Sequence, residues 1–151
     1  MLRGGACSPS LPALRALRPV AHTCVNTPHN VGSIATRHAT MPYAASHLAQ
    51  PPSRDDVDRM PGATVVEFGT PWCGHCQRAQ PLIEQALGAQ SGVAHVKVED
   101  GPGQRLGRSF GVKLWPTLVF LKDGAETGRL VRPQATSEII DALAALNRTG
   151  A

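Results

Sequence analysis

One stretch decides the fold of this 151-residue chain: residues 66–76 read V-E-F-G-T-P-W-C-G-H-C. The residues at its start belong to a run, Ala63–Phe68, whose composition is typical of a buried β-strand. After Cys73 the apolar residues recur at helical spacing through about Leu87, with Pro81 inside the pattern. The sequence therefore predicts that both cysteines of the stretch lie where a strand turns directly into a helix.

The C-G-H-C motif has a spacing that suits redox chemistry. Cys73 is expected near the N-terminus of the helix, where free N–H groups and the helix dipole favour a thiolate. Two intervening residues bring Cys76 within disulfide reach of Cys73, and a positive charge on His75 would stabilise the thiolate further. The motif therefore predicts a redox-active cysteine pair.

A zinc site and a purely structural role are both disfavoured for the cysteine pair. A lone C-x-x-C can be half of a zinc site, but the chain has no second C-x-x-C. Further ligands such as Cys7 and Cys24 could come only from the first forty residues, so we expect no metal site. Two structural cysteines without a redox role are equally disfavoured.

The flanking sequence predicts an α/β fold in which helices cover a central mixed sheet. Strand-like and helix-like patterns alternate, and a strong hairpin turn, K-D-G at residues 122–124, separates the last two strands. The other predicted elements are a short helix at Arg54–Met60 started by Ser53, strands at Val93–Val98, Thr117–Leu121 and Glu126–Val131, a short helix at Gln104–Phe110, and a final helix capped by Thr136 or Ser137 with Ile139, Ile140, Leu143 and Leu146 facing inward.

The net charge of +4 belongs to the first forty residues. They contain four arginines and no acidic residue, whereas residues 41–151 contain 11 basic and 11 acidic residues. They also lack a sustained hydrophobic period, so we interpret residues 1–40 as a disordered basic leader and residues 41–151 as the working domain. Four arginines over forty residues form no dense patch, which argues against nucleic-acid binding.

Two interpretations of the leader stay open. Its arginines, its hydroxyl residues and its lack of acidic residues resemble an organelle transit peptide. Alternatively, it is a translated upstream region and Met41 is the real start. A secretory signal fits poorly because Arg15 and Arg18 interrupt the only apolar candidate, and no run of about 18 apolar residues is present to cross a membrane.

Two separated motifs resemble the thioredoxin superfamily. P-W-C-G-H-C at residues 71–76 is most similar to protein disulfide isomerase domains, since thioredoxins usually carry proline where His75 stands. The second motif is F-G-V-K-L-W-P-T-L-V-F-L-K-D-G at residues 110–124, in which W-P-T resembles the cis-proline segment of the family. Pro81 matches the helix-kinking proline. The resemblance covers about residues 55–148 and implies a thioredoxin fold.

The resemblance implies a role for each cysteine and for one acidic residue. Cys73 would attack a substrate disulfide and Cys76 would resolve the mixed disulfide, with no bound cofactor other than the Cys73–Cys76 disulfide itself. Glu67 stands at the buried acidic position of the family, where burial should raise its pKa and allow proton exchange near neutrality. An exposed Glu67 on an edge strand is the alternative. Lys97 stands where some thioredoxins place a lysine near this acid.

The resemblance also implies a substrate-binding surface around Trp72, Trp115 and Pro116. Pro116 would be cis and would leave the Trp115 backbone open to pair with an extended substrate chain. Ordinary core packing is the alternative for both tryptophans. Two departures from the family concern this surface: Gly69 replaces a common aromatic residue, and Arg132-Pro133 replaces a glycine that the family usually offers to the substrate.

Together these features favour a thiol–disulfide oxidoreductase that reduces disulfides in protein substrates and supports cell redox homeostasis. The family implies a thioredoxin reductase using NADPH as its partner, and we expect a cytoplasmic monomer, or an organellar protein if residues 1–40 are a transit peptide. Two alternatives stay open: an oxidase or isomerase in an oxidising compartment, and a redox-regulated binding module. The single redox domain and the lack of a K-D-E-L-type signal argue against a full disulfide isomerase.

Overall fold

The computed structural model describes residues 43–148. Its strands form one four-stranded mixed sheet. Its elements in chain order are α1 (Arg54–Asp58), β1 (Ala63–Gly69), α2 (Gly74–Gly88), β2 (Val93–Glu99), α3 (Leu106–Ser109), β3 (Thr117–Lys122), β4 (Ala125–Val131) and α4 (Thr136–Arg148). The strands lie in the order β2-β1-β3-β4, with β1 parallel to β2 and β3 antiparallel to both β1 and β4. The predicted mixed sheet is confirmed.

Strand β1 lies inside the sheet and all of its residues are buried. Successive side chains of a strand point to opposite faces of a sheet. Val65 therefore packs with Ile83 of α2 in one hydrophobic cluster, whereas Phe68 packs with Phe110 in a second cluster on the other face. Glu67, two residues after Val65, consequently faces α2.

Local signals in the sequence define two of the element boundaries. The Ser53 side chain accepts a hydrogen bond from the Asp56 N–H at 3.1 Å, and the Asp56 carboxylate accepts one from the Ser53 N–H at 3.1 Å, which starts α1 as predicted. Asp123 and Gly124 have φ values of 48° and 79°, as a two-residue hairpin turn requires. The predicted hairpin between β3 and β4 is confirmed.

Helix α4 buries only part of the face that its sequence predicts. Ile139, Leu143 and Leu146 are buried against the sheet and α2. Ile140 is 43% exposed, so the prediction that it faces inward is wrong. Successive side chains of a helix point about 100° apart around its axis. Ile140 therefore points away from the buried face that contains Ile139 and towards solvent.

The predictions for residues 1–40 lie outside the described residues. The leader, its interpretation as a transit peptide and the domain boundary at Met41 therefore stay predictions. Within residues 43–148, no helix has both the length and the apolar character needed to span a membrane.

Candidate functional site

Both cysteines of the C-G-H-C motif lie where β1 turns into α2. Cys73 is the N-cap residue of α2, and its Sγ accepts a hydrogen bond from the backbone N–H of Cys76 at 3.4 Å. Cys73 is half-buried, Cys76 is only 4% exposed, and both are free thiols. The predicted position of Cys73 at the helix N-terminus is confirmed.

The two thiols differ in acidity because their surroundings differ. Burial raises the pKa of Cys76 to about 12, and its hydrogen bond with Cys73 acts in the same direction. At Cys73 partial burial opposes ionisation. Hydrogen bonds from the Cys76 thiol and from the backbone N–H groups of Cys76 and His75, together with the charge of Arg132, nevertheless lower the pKa of Cys73. Cys73 is therefore the thiol that ionises first.

His75 does not supply the positive charge that the sequence predicts. The charge of Arg132, followed by desolvation and the charge of Arg78, lowers the pKa of His75 below its ordinary value. The imidazole is therefore mostly uncharged at neutral pH. The prediction of an imidazolium beside Cys73 is wrong, and Arg132 is the cation that lowers the pKa of this thiol.

Glu67 is buried in a polar cluster that consists of Tyr43, Glu67, Gln80, His95 and Lys97. Its Oε1 accepts a hydrogen bond from Gln80 Nε2 at 2.6 Å and lies 3.8 Å from Lys97 Nζ. Its Oε2 lies 3.2 Å from His95 Nε2, in a contact outside hydrogen-bond geometry. With Glu67 1% exposed, the predictions of its burial and of a nearby Lys97 are confirmed, and the exposed alternative is wrong.

The pKa of Glu67 shifts in the direction opposite to the prediction. Burial by itself would raise the pKa of Glu67, but the contact with His95, the charge of Lys97 and the hydrogen bond from Gln80 outweigh burial. These groups hold the pKa of Glu67 below its usual value, so the carboxylate is charged at neutral pH. The prediction was wrong because it counted burial without the partners on α2 and β2.

His95 is a residue of the site that sequence analysis missed. The backbone N–H of Ala44 donates to His95 Nδ1 at 2.9 Å, so the proton of the neutral ring belongs on Nε2, the atom that faces Glu67. Tyr43 stacks on the same ring, with 5.7 Å between centroids. A signal was present: His95 and Lys97 are two residues apart in a strand whose other residues from Val93 to Val98 are apolar, and hence they share a face.

The segment of residues 43–48, which we call the N-terminal strap, closes the polar cluster. Gln80 Oε1 accepts hydrogen bonds from Lys97 Nζ and, at 3.1 Å, from Tyr43 Oη. Lys97 Nζ also donates to the backbone carbonyl of Ala45 at 3.2 Å. The strap therefore supplies partners to polar groups that β2 buries.

A cavity of about 300 Å³ extends from the polar cluster to Cys76. Glu67, Lys97 and Cys76 all line it, together with part of the strap. The charge of Glu67 is also one of the influences that raise the pKa of Cys76. The thiol of Cys76 and the carboxylate of Glu67 therefore line one cavity.

The surface beside Cys73 is aromatic. Trp72 is 68% exposed, which excludes core packing for it, and its ring meets that of Trp115 edge to face with 5.8 Å between centroids. Trp115 is half-buried, and its Nε1 donates to Asp100 Oδ2 at 2.9 Å. The bond between Trp115 and Pro116 is cis, as predicted. Substrate binding by Trp72, Trp115 and Pro116 stays a prediction.

Both departures from the family pattern lie close to the thiols. A Cβ atom on Gly69 would lie 2.9 Å from Cys76 Sγ, so the absence of a side chain leaves room for that sulfur. The backbone N–H of Arg132 donates to Pro116 O at 2.8 Å, and its Nε donates to Trp115 O at 3.1 Å. The Trp115 backbone, predicted to be open to a substrate chain, therefore already has its carbonyl engaged by Arg132.

A metal site was not predicted for this chain. Among residues 43–148 no three His, Cys, Asp or Glu side chains are placed to hold a metal ion. Cys7 and Cys24, which could supply further ligands, lie outside that range. The absence of a metal from the protein stays a prediction.

Comparisons with known proteins agree with this geometry. A family model described as thioredoxin matches residues 49–145. Thioredoxin 2 from Pseudomonas aeruginosa PAO1 in its reduced form is 52% identical, with a TM-score of 0.63 over 70% of this chain and 99% of that chain. A mutant thioredoxin from Halobacterium salinarum NRC-1 is 29% identical, with a TM-score of 0.53 over 61% of this chain and 80% of that chain. The predicted thioredoxin fold is confirmed.

Two protein disulfide isomerases match shorter segments. Protein disulfide-isomerase A2 of Pongo abelii is 46% identical over 69 residues, which cover 43% of this chain and 13% of that protein. Protein disulfide-isomerase A3 of Gallus gallus is 37% identical over 84 residues, which cover 55% of this chain and 17% of that protein. The chain therefore spans less than a fifth of the length of these relatives.

Proposed function

Because this chain belongs to the thioredoxin family, we propose that it reduces disulfide bonds of protein substrates through Cys73 and Cys76. The family is one of thiol–disulfide oxidoreductases, whose reactive group is a cysteine pair rather than a bound cofactor. One observation carries the proposal: a half-buried thiol with a lowered pKa caps α2, and a buried thiol with a raised pKa lies directly behind it. A two-step exchange needs this asymmetry, since one thiol attacks while the other stays protonated.

Reduction proceeds through a mixed disulfide. The Cys73 thiolate attacks one sulfur of the substrate disulfide, the substrate S–S bond breaks, and the leaving thiolate takes a proton from solvent. Cys76 then loses its proton and attacks Cys73 Sγ, which forms the Cys73–Cys76 disulfide and releases the second substrate thiolate. Two electrons pass from the cysteine pair to the substrate.

Glu67 accepts the proton that Cys76 loses. Its carboxylate is charged at neutral pH because its pKa is lowered, and it lines the same cavity as Cys76. The charge of Cys73 helps to keep the pKa of Cys76 high, so formation of the mixed disulfide, which removes that charge, eases proton loss. Glu67 therefore accepts the proton as a charged carboxylate, whereas the sequence predicts a carboxyl group whose pKa is raised by burial.

Two observations support reduction over oxidation. A neighbouring imidazolium would stabilise the Cys73 thiolate and make the disulfide a stronger oxidant, but His75 is mostly uncharged at neutral pH. The similarity to the Pseudomonas aeruginosa thioredoxin 2 also extends over 99% of that chain. An oxidase or isomerase is the second candidate, favoured by the isomerase-type C-G-H-C sequence.

Continued turnover needs an external reductant. We propose a thioredoxin reductase that draws electrons from NADPH and acts on a monomer in the cytoplasm, or in an organelle if residues 1–40 are a transit peptide. A redox-regulated binding module, the candidate from a different class, would capture partners without such a supply of electrons.

Reduction of insulin disulfides tests the proposal. With dithiothreitol as the terminal reductant, wild type should reduce many insulin molecules per enzyme, because each catalytic cycle restores the dithiol. Cys73→Ser should show no catalysis. Reduced Cys76→Ser, mixed with insulin after the dithiothreitol has been removed, should stop at a covalent complex with substrate.

The matched control is the double variant Cys7→Ser and Cys24→Ser, which should keep full activity because both residues are predicted outside the active unit. Capture of partners without turnover would favour the binding module and contradict reduction. Turnover that survives in Cys73→Ser would contradict the assigned nucleophile.

A further inference from the structure

A positively charged cleft lies beside the cysteine pair. It has a volume of about 320 Å³ and is bounded by the first turns of α2 and by the segment after β4. Its walls include His75 and Arg78 on one side and Arg132 and Gln134 on the other, and none of its described lining residues is acidic. Arg78 Nη2 contacts His75 Nδ1 at 2.8 Å. We call this feature the arginine cleft.

Arg132 is held at the edge of the arginine cleft in an unfavourable backbone conformation. Its φ of 53° lies in the left-handed region, which favours glycine. Its N–H and Nε donate to Pro116 O and Trp115 O, and its own carbonyl accepts from Gln134 Nε2 at 2.6 Å. A non-glycine residue kept in such a conformation next to a reactive thiol indicates a function for its side chain.

The cationic groups of the arginine cleft have no acidic partner in the part of the chain that the structure describes. Arg129, by comparison, pairs with Glu126 at 2.6 Å. Neither Arg78 nor Arg132 forms an ion pair with any carboxylate among residues 43–148. Apart from the hydrogen bond from Arg132 Nε to Trp115 O and the contact of Arg78 Nη2 with His75, the N–H groups of both guanidiniums are therefore available to an anion from another molecule.

From this arrangement we propose that the arginine cleft binds a carboxylate of the substrate protein. The preferred substrate is then a disulfide whose attacked cysteine has an aspartate or glutamate close to it in sequence, since His75 of the arginine cleft is two residues from Cys73. A guanidinium group binds a carboxylate through two parallel hydrogen bonds, which gives direction as well as affinity. This inference rests on the proposed function and specifies its substrate class.

A protein segment suits the arginine cleft better than a small anion does. Arg132 donates to the Trp115 carbonyl, so the cleft adjoins the aromatic pair of Trp72 and Trp115. Exposed aromatic rings bind apolar side chains and exclude water from neighbouring charged contacts. A segment with an acidic and an apolar residue beside its cysteine satisfies both surfaces, whereas glutathione disulfide offers carboxylates without an apolar side chain.

Matched peptide disulfides test this proposal. Two peptides, each carrying one cysteine in a disulfide with thionitrobenzoate, differ only by Glu or Gln two residues from the cysteine. Stopped-flow release of the chromophore measures the first step, and each rate is divided by that of dithiothreitol to remove intrinsic reactivity. Wild type should react roughly five- to tenfold faster with the Glu peptide at low ionic strength. The preference should shrink at about 0.5 M salt, because salt screens exposed charges.

Charge variants locate the effect. Arg132→Gln should remove most of the preference, and Arg132→Lys should keep part of it, since lysine retains the charge without the planar fork. Arg148→Gln removes the same charge from the exposed end of α4 and should leave the preference unchanged. Equal rates with both peptides while insulin turnover persists would overturn the carboxylate site and leave the proposed function intact. Failure to react with either peptide or with insulin would overturn both.

Arg132→Gly separates the function of the side chain from folding. Glycine adopts a φ of 53° without strain, so this variant should melt at or above the wild-type temperature while losing the preference. Retention of the preference in Arg132→Gly would contradict the proposal. Glutathione disulfide provides the small-molecule comparison: a stronger dependence on Arg132 for glutathione disulfide than for the Glu peptide would contradict the assignment to protein substrates.

Discussion

Cys73 and Cys76 carry identical side chains three residues apart, and their positions alone make them chemically different. Cys73 caps α2, where N–H groups and the Arg132 charge stabilise its thiolate. Cys76 turns towards β1, where Gly69 leaves space for its sulfur and burial keeps it protonated. The position of Cys73 follows from the C-G-H-C motif, whereas the cation beside it belongs to Arg132, which is remote in sequence.

Replacement of His95 tests the polar cluster at the scale of one residue. His95→Phe keeps a ring that can stack on Tyr43 but removes the acceptor for the Ala44 N–H and the contact with Glu67. The free energy of unfolding at pH 7 should fall by about 1–3 kcal/mol, because buried polar groups lose their partners. Urea denaturation measures the change.

The pH dependence of the His95→Phe effect identifies its source. In the folded wild type the pKa of Glu67 lies below its reference value of 4.5. Ionisation of Glu67 therefore stabilises the fold above about pH 4.5, and this stabilisation is lost as the pH falls through the folded-state pKa. His95→Phe should raise that pKa, so the difference in stability from wild type should shrink below about pH 4.5. An equal difference at pH 7 and pH 3.5 would contradict the account. His75→Phe, a change on the exposed part of α2, is the control.

The residues of the site differ in how far the sequence predicts them. Burial of Glu67 could be predicted because apolar residues surround it in β1. Its pKa could not, because the direction depends on His95, Lys97 and Gln80, which reach it from β2 and α2. Chemical roles that come from position within one motif are therefore predictable, whereas those set by partners on other elements require the fold.

At the scale of elements, α4 offers a matched pair of substitutions. Ile139→Ala should lower the free energy of unfolding by about 2–4 kcal/mol, because it leaves a cavity under a fully buried side chain. Ile140→Ala should cost clearly less, since this side chain is 43% exposed. Chemical denaturation of both variants checks the ranking, and equal losses would contradict the observed orientation of α4.

Hydrophobic periodicity predicts the existence and order of the elements but not the limits of their buried faces. Every predicted helix and strand between Arg54 and Arg148 is present, because each has its own cap, turn or apolar run. The exposure of Ile140 could not be predicted from that pattern. Two adjacent isoleucines both fit an apolar stripe, and the sheet beneath α4 decides which one is covered.

At the scale of the whole molecule, we expect the N-terminal strap to be part of the shortest chain that is fully stable and active. The strap lies outside the matched family segment of residues 49–145, yet it contacts His95 and Lys97. A chain that begins at Met41 should keep wild-type stability and activity. One that begins at Ala49 should lose at least about 2 kcal/mol of unfolding free energy, because polar groups in β2 lose their partners.

Urea denaturation and insulin turnover of the two shortened chains check this prediction. Equal stability of both would show that the strap contributes nothing. Loss of activity in the chain that begins at Met41 would show that the preceding residues take part in function. The composition of the sequence predicts the boundary near Met41, but contacts of the strap with β2 could not be predicted, because the strap has no hydrophobic period of its own.

The equilibrium reduction potential of the Cys73–Cys76 pair tests the central claim most directly. Equilibration with glutathione redox buffers, followed by alkylation of free thiols, should show one two-electron transition between about −270 mV and about −180 mV, nearer the reducing end. The same transition should be absent in Cys73→Ser. A midpoint more oxidising than about −180 mV would contradict a reductase, and a wild-type chain without any two-electron transition would contradict the redox pair itself.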